Sequence, residues 1–71
     1  MEKVIVNVNF ENNYGAYLDL LPGCVAVAHS LEDLKKDIAK AIQMHLDGMK
    51  KDNDPIPVEL QGEYELIMVF V

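Results

Sequence analysis

Leu21-Pro22-Gly23-Cys24-Val25-Ala26-Val27-Ala28-His29-Ser30-Leu31-Glu32-Asp33-Leu34 encodes a turn, a short apolar strand and the start of a helix. Pro22 presets φ at the second position of a tight turn, and Gly23 accepts the positive φ that the third position requires. Ser30 can accept a hydrogen bond from an amide left free at a helix start. Asp33, at the third helical position, makes a weaker capping box than glutamate because its shorter side chain reaches back less well. Between turn and cap, Cys24–Ala28 is a narrow strand. Turn, strand and capped helix are thus fixed by local chemistry.

Toward the C-terminus, Leu31, Leu34, Ile38, Ala41, Ile42, His45, Leu46 and Met49 recur at spacings of three and four. Lys35, Lys36, Asp37, Lys40, Gln43 and Asp47 fall largely opposite. The pattern predicts an amphipathic helix of about six turns. Glu32 and Asp33 at its start and Lys50 and Lys51 at its end complement the macrodipole. Asp52-Asn53-Asp54-Pro55-Ile56-Pro57 stops it. The tail Tyr64–Val71 reads as a last strand, apolar on both faces beyond Glu65.

Toward the N-terminus, Val4, Val6, Val8 and Phe10 alternate with Ile5, Asn7 and Asn9, which is the period of a strand with one buried face. Glu11-Asn12-Asn13-Tyr14-Gly15 is a turn cluster, after which Ala16, Leu18 and Leu20 alternate with Tyr17 and Asp19. The expected order is β-β-β-α-β. The long crossover helix lets the last strand lie parallel to the first with a right-handed connection. The predicted fold class is α+β, a mixed four-stranded sheet of order 3-2-1-4 with one long helix on one face, forming a single domain over residues 1–71. There is no internal repeat or linker.

Composition narrows the function classes. The 71 residues hold twelve carboxylates and six lysines, no arginine, and a formal net charge of −6. Without guanidinium forks or clustered positive charge, the segment is not expected to bind nucleic acid, and a basic partner fits better. Hydrophobic residues make up 51% of a chain in the size range where stability is marginal, so a partner surface is expected. No apolar run could span a bilayer, and Met1-Glu2-Lys3 opens no secretory signal, so a cytoplasmic location is expected. Cys24, the single cysteine, reads as a small core filler.

The Leu-Pro-Gly-Cys turn, the strand after it and the Ser-Leu-Glu-Asp helix start resemble the signature of the HicB antitoxin family. The likeness spans about Val4 to Pro57 and includes the Pro55-Ile56-Pro57 exit. Two details differ: Leu20-Leu21 separates Asp19 from Pro22 where the family has Pro-Asp-Leu-Pro-Gly, and Ala28-His29 stands where the family has Gly-Asp. The resemblance implies a partial RNase H-like domain that binds a small basic toxin of the HicA type, an mRNA interferase, and covers its active site. Many members carry a further C-terminal DNA-binding domain, a segment not found in these 71 residues. The apolar ending Phe70-Val71 suggests either a domain cut from a longer protein or a strand completed by a neighbouring subunit.

Candidate contacts to the toxin, given by the resemblance, are Glu11, Tyr14, Tyr17, Asp19 and Glu32. If Val4, Val6, Val8 and Phe10 face the helix with Leu66, Met68 and Phe70, then Ile5, Tyr17, Ile67, Val69 and Val71 share an uncovered face. Ile5, Ile67, Val69 and Val71 are accordingly candidate contacts of a homodimer or larger homo-oligomer. A two-metal nuclease would need carboxylates converging from the first strand, where Asn7 and Asn9 stand instead, so no catalytic or metal residues and no cofactor are assigned. His29 and His45 lack the spacing of a zinc site and read as structural. Met44, Met49 and Met68 read as core or interface filler. The alternative function is an orphan, non-catalytic dimeric assembly or ligand-sensing domain of the same fold.

Overall fold

Valines 4, 6 and 8 set the centre of the molecule. In the computed structural model, which describes Met1–Val71, Glu2–Phe10 forms β1 and these three side chains are fully buried on one face of it. β1 pairs antiparallel with β2 (Tyr14–Tyr17), from Asn7 opposite Tyr17 to Phe10 opposite Tyr14. It pairs parallel with β4 (Tyr64–Phe70), from Glu2 beside Tyr64 to Val8 beside Phe70. β3 (Val25–Ala28) closes the other edge, antiparallel to β2. The sheet order is β3-β2-β1-β4, the mixed 3-2-1-4 arrangement expected, and the fold is α+β.

The parallel β1–β4 pair requires a long crossover, and α1 (Leu31–Lys51) supplies it. Its N-cap is Ser30, whose hydroxyl accepts a hydrogen bond from the Asp33 amide at 3.1 Å. At the other end Asn53 adopts φ 57, and the Asp54 amide reaches back to the Met49 carbonyl at 2.9 Å. These are the marks of a left-handed C-terminal cap, with asparagine in the place glycine more often fills. Leu34, Ile38, Ile42 and Leu46, four apart along one face, are all buried.

α1 rests mainly on β3 and β2. The side chains it meets on β3 are small, Cys24 just before the strand and then Ala26 and Ala28, which lets the helix approach closely, while the larger Val25 and Val27 point away. Because the helix is drawn to that side, no residue of β4 is fully buried.

Four details differ from the sequence expectation. β2 ends at Tyr17 instead of running to Leu20, because the chain bends early into the Pro22-Gly23 turn. That turn is closed by the Cys24 amide bonding the Leu21 carbonyl at 3.0 Å, with Gly23 at φ 89. Leu18 and Leu21, not Leu20, are therefore the buried pair. Phe10 and Phe70 do not sit under the helix: both are more than half exposed and flank Tyr14, with ring centroids 4.7 and 6.5 Å from it. Met44 lies on the solvent side of α1 and fills no core space. A single 3-10 turn, Val58–Leu60, escaped the sequence pattern because three residues carry no period; it buries Leu60 beside β1.

Ile38→Ala should remove about 2–5 kcal/mol of stability through the cavity it leaves, and Ser30→Ala about 1 kcal/mol through the lost cap. Chemical denaturation followed by circular dichroism checks both. In so small a domain the first variant is expected to be largely unfolded at 37 °C.

Candidate partner-binding surfaces

Strand alternation sorts the sheet into two faces. Even positions of β1 and β2 meet the helix, and odd positions point away from it. The face away from α1 carries Ile5, Asn7 and Asn9 from β1, Gly15 and Tyr17 from β2, Val25 and Val27 from β3, and Ile67 and Val69 from β4, with Val71 beyond. Register places Val25, Tyr17, Asn7 and Val69 in one row across all four strands, and Ile5 beside Ile67 in the next. Val25 and Val27 are 60% and 66% exposed, and Ile5, Tyr17 and Val69 are also exposed. No charge lies among these residues. Lys3 and Glu65, paired in register, stand at one corner.

Ile5, Ile67 and Val69 therefore share one uncovered sheet face, and Val71 continues the same side of β4. Val25 and Val27, equally exposed, were missed in the sequence because Cys24–Ala28 reads as uniformly apolar. The usable signal was size: small residues alternate with valine, and the small set marks the helix side. Asn7 was missed as well. The residue as a whole is 9% exposed between its row neighbours, and its amide, which makes no hydrogen bond within the chain, still reaches solvent.

The five candidate toxin contacts fall in three places. Glu11 follows the C-terminal end of β1, Tyr14 begins β2 on the helix side, and Glu32 lies in the first turn of α1. Since β3 runs antiparallel to β2 and leads into α1, these three share one end of the molecule, together with the Phe10–Tyr14–Phe70 aromatic group. Tyr17 stands on the open sheet face. Asp19 lies past the opposite end of β2, entering the Pro22-Gly23 turn. Glu32 is paired with Lys36 one helical turn on at 3.9 Å, but both are so exposed that the pair adds a few tenths of a kcal/mol at most and leaves the carboxylate free to exchange partners.

A shallow groove of about 390 Å³ lies between Lys35 and Leu66, Ile67 and Met68, where α1 leaves β4 uncovered. It holds no arrangement of nucleophile and base. His29 is exposed before the N-cap and His45 is half-buried on α1, and no three His, Cys, Asp or Glu side chains gather where one ion could bind them. Cys24 is buried, and desolvation raises its thiol pKa above 9.0, which keeps it protonated and unreactive. No helix is long and apolar enough to cross a membrane.

The geometry offers an exposed apolar sheet face and an end that carries carboxylates and aromatics. Residues 3–65 match the family model described as the HicB-like antitoxin of bacterial toxin-antitoxin systems. The chain belongs to the HicB-like antitoxin family. Membership implies a toxin as partner and a role other than catalysis. The match covers β1, the hairpin, the Pro22-Gly23 turn, the capped helix and the first residues of β4. No curated protein and no solved structure matches the chain.

Cys24 gives a direct check on the packing under α1. Its thiol should react with iodoacetamide only as fast as the domain opens, and at the free-thiol rate in denaturant. The folded state holds the thiol pKa above that of the unfolded chain. The stability tied to Cys24 is therefore intact below about pH 9 and is lost as pH rises through the raised value. Denaturation midpoints measured from pH 7 to 10.5 should fall only in the upper part of that range, and Cys24→Ala should flatten that part of the curve.

Proposed function

We propose that this antitoxin neutralises a HicA-type mRNA interferase by binding over the toxin's active site. The observation that carries the reading is the family match, joined to an end of the domain that holds the exposed carboxylates Glu11 and Glu32, the exposed Phe10 and Phe70 and the half-buried Tyr14. A toxin that grips RNA needs a basic surface, and carboxylates held at a fixed spacing can occupy the positions of phosphates on it. The charges steer and orient the encounter, while the aromatic rings exclude water and slow dissociation.

Glu11, Tyr14 and Glu32 form the primary contact in this proposal, because one partner surface can reach all three. Asp19, at the far end of β2, and Tyr17, on the open face, are candidates for a second contact only. The chain works in the cytoplasm in this reading, where mRNA is the toxin's substrate. The partial RNase H-like identity of the fold belongs to the same proposal. With a net charge of −6 and no arginine, the domain itself leaves RNA and DNA unbound. The uncharged open face supports a further property, homo-oligomerisation through Ile5, Ile67, Val69 and Val71.

The test is capture of the toxin encoded beside this chain, comparing wild type with Glu11→Lys/Glu32→Lys and with Asp19→Lys/Glu32→Lys. Reversing charge at Glu11 and Glu32 should slow association by about tenfold at low salt, with the difference shrinking as salt rises. Adding Lys at Asp19 should do no more than the Glu32 change alone. Equal association rates and equal rescue of growth by the Glu11→Lys/Glu32→Lys variant would refute the assignment of this end.

A further inference from the structure

Both phenylalanines of the chain stand at the end of the sheet where α1 begins, and both are more than half exposed. Strand pairing brings their rings together. Phe10 is in register with Tyr14 across β1 and β2, and the Val71 amide bonds the Val8 carbonyl at 2.9 Å, which ties the end of β4 and its Phe70 to β1. The Tyr14 ring meets both, tilted 51° to Phe10 and 75° to Phe70. The three rings are thus positioned by backbone that the sheet holds, and the two outer ones keep open surface. The face of an aromatic ring is negative, and a cation within about 6 Å of its centre is attracted to it.

We infer that arginines on the toxin's RNA-binding surface dock here, laying their guanidinium planes on Phe10 and Phe70 while their N–H edges donate to Glu11 and Glu32. This rests on the toxin-binding reading above and names the side-chain chemistry of that contact. The chain has no arginine of its own to fill the place.

Charge selects a cation as the occupant. Glu11 follows Phe10 in the chain, and Glu32 and Asp33 stand in the first turn of α1 at the same end. The N-terminus of α1 adds only about half a positive charge there, which the two carboxylates of its first turn outweigh. Glu32 is engaged only by Lys36 in an exposed pair at 3.9 Å, which a partner can displace. A purely apolar partner would cover the rings and strand these carboxylates without a counter-charge, at a cost in desolvation.

The mixed surface also selects guanidinium over ammonium. A lysine ammonium is compact and strongly hydrated, so it can answer a carboxylate but gains little from a ring. The guanidinium group is flat and more weakly hydrated, and its donors lie in its plane. Its face can therefore stack on a phenyl ring while its edge forms a two-pronged bond to a carboxylate. Exposed rings and free carboxylates at one end of the domain provide both halves of that contact.

Because Phe10 and Phe70 are the only phenylalanines, growth on fluorinated phenylalanine alters this group alone. Mono-, di- and trifluorophenylalanine withdraw charge from the ring face in steps while keeping the ring's shape and apolar surface. Affinity for the toxin encoded beside this chain should fall in the same steps, to about tenfold weaker with trifluorinated rings, with the circular dichroism spectrum unchanged. In the monofluorinated protein, a hexa-arginine peptide should shift both fluorine resonances and hexalysine should shift them far less, with Phe70→Leu assigning the two signals. Glu11→Lys/Glu32→Lys should abolish the shift. Toxin affinity that holds or rises through the fluorinated series would overturn this inference alone and leave the rings as an ordinary apolar contact in the toxin-binding reading. Fluorine resonances that ignore hexa-arginine, or respond equally to hexalysine, would likewise overturn it alone. A toxin that fails to bind the unlabelled chain would overturn the toxin-binding reading and this inference together.

Discussion

Leu34, Ile38, Ile42 and Leu46 on α1, pressed against Val4, Val6 and Val8 and the small residues of β2 and β3, are the contact on which the rest of the structure depends. Each fully buried aliphatic side chain contributes roughly 1.5–3 kcal/mol, so these few outweigh every cap and surface ion pair in the molecule. They also hold the chain in its topology. With α1 fixed across one face, the segment after Asn53 has to return beside β1, and the parallel β1–β4 pair follows. A chain of this size has one helix to spend on one face, and the opposite face is left bare.

Function follows from that shortage of cover. The domain keeps its charges on the solvent side of α1, at the loops and at the strand ends, and keeps its open sheet face neutral and apolar. The two kinds of surface are chemically distinct: carboxylates and aromatics at the end that holds the β1–β2 hairpin and the start of α1, and an uncharged apolar sheet on the side away from the helix.

The placement of α1 toward β3 has a second effect. β4 is left with its edge unpaired, a groove between it and Lys35 on the helix side and its far side open, so it is the one strand of the sheet with no buried residue. Exposed edges of this kind are usually blunted by charge or proline, and β4 carries only Glu65. The aromatic group of Phe10, Tyr14 and Phe70 occupies the same end of the sheet as the helix start, where apolar rings remain in solvent beside Glu11. These features belong to a domain that works in contact with other chains.

The sequence by itself determined the local elements and their order. Ser30 and Asp33 mark the start of α1, the four-residue spacing of its aliphatic stripe sets its face, and Pro22-Gly23 forces the turn, because each depends on neighbours within a few residues. Period-two valines in β1 and a helix long enough for a crossover were sufficient to order the sheet, and the Leu-Pro-Gly-Cys and Ser-Leu-Glu-Asp motifs carried the family. Tertiary structure decided what periodicity cannot express. Tyr14 and Tyr17 fall on opposite faces, and Asp19 lies at the end away from Glu11 and Glu32, so the five candidate contacts separate into three places. Phe10 and Phe70 lie outside the helix's cover, because where α1 rests is set by the small side chains of β3, residues distant from both phenylalanines in sequence. Asn7 lost most of its exposure only when Tyr17 and Val69 closed on it from two other strands. Alternation along one strand tells which side a residue faces, but only the neighbours brought in by folding decide whether that side is covered.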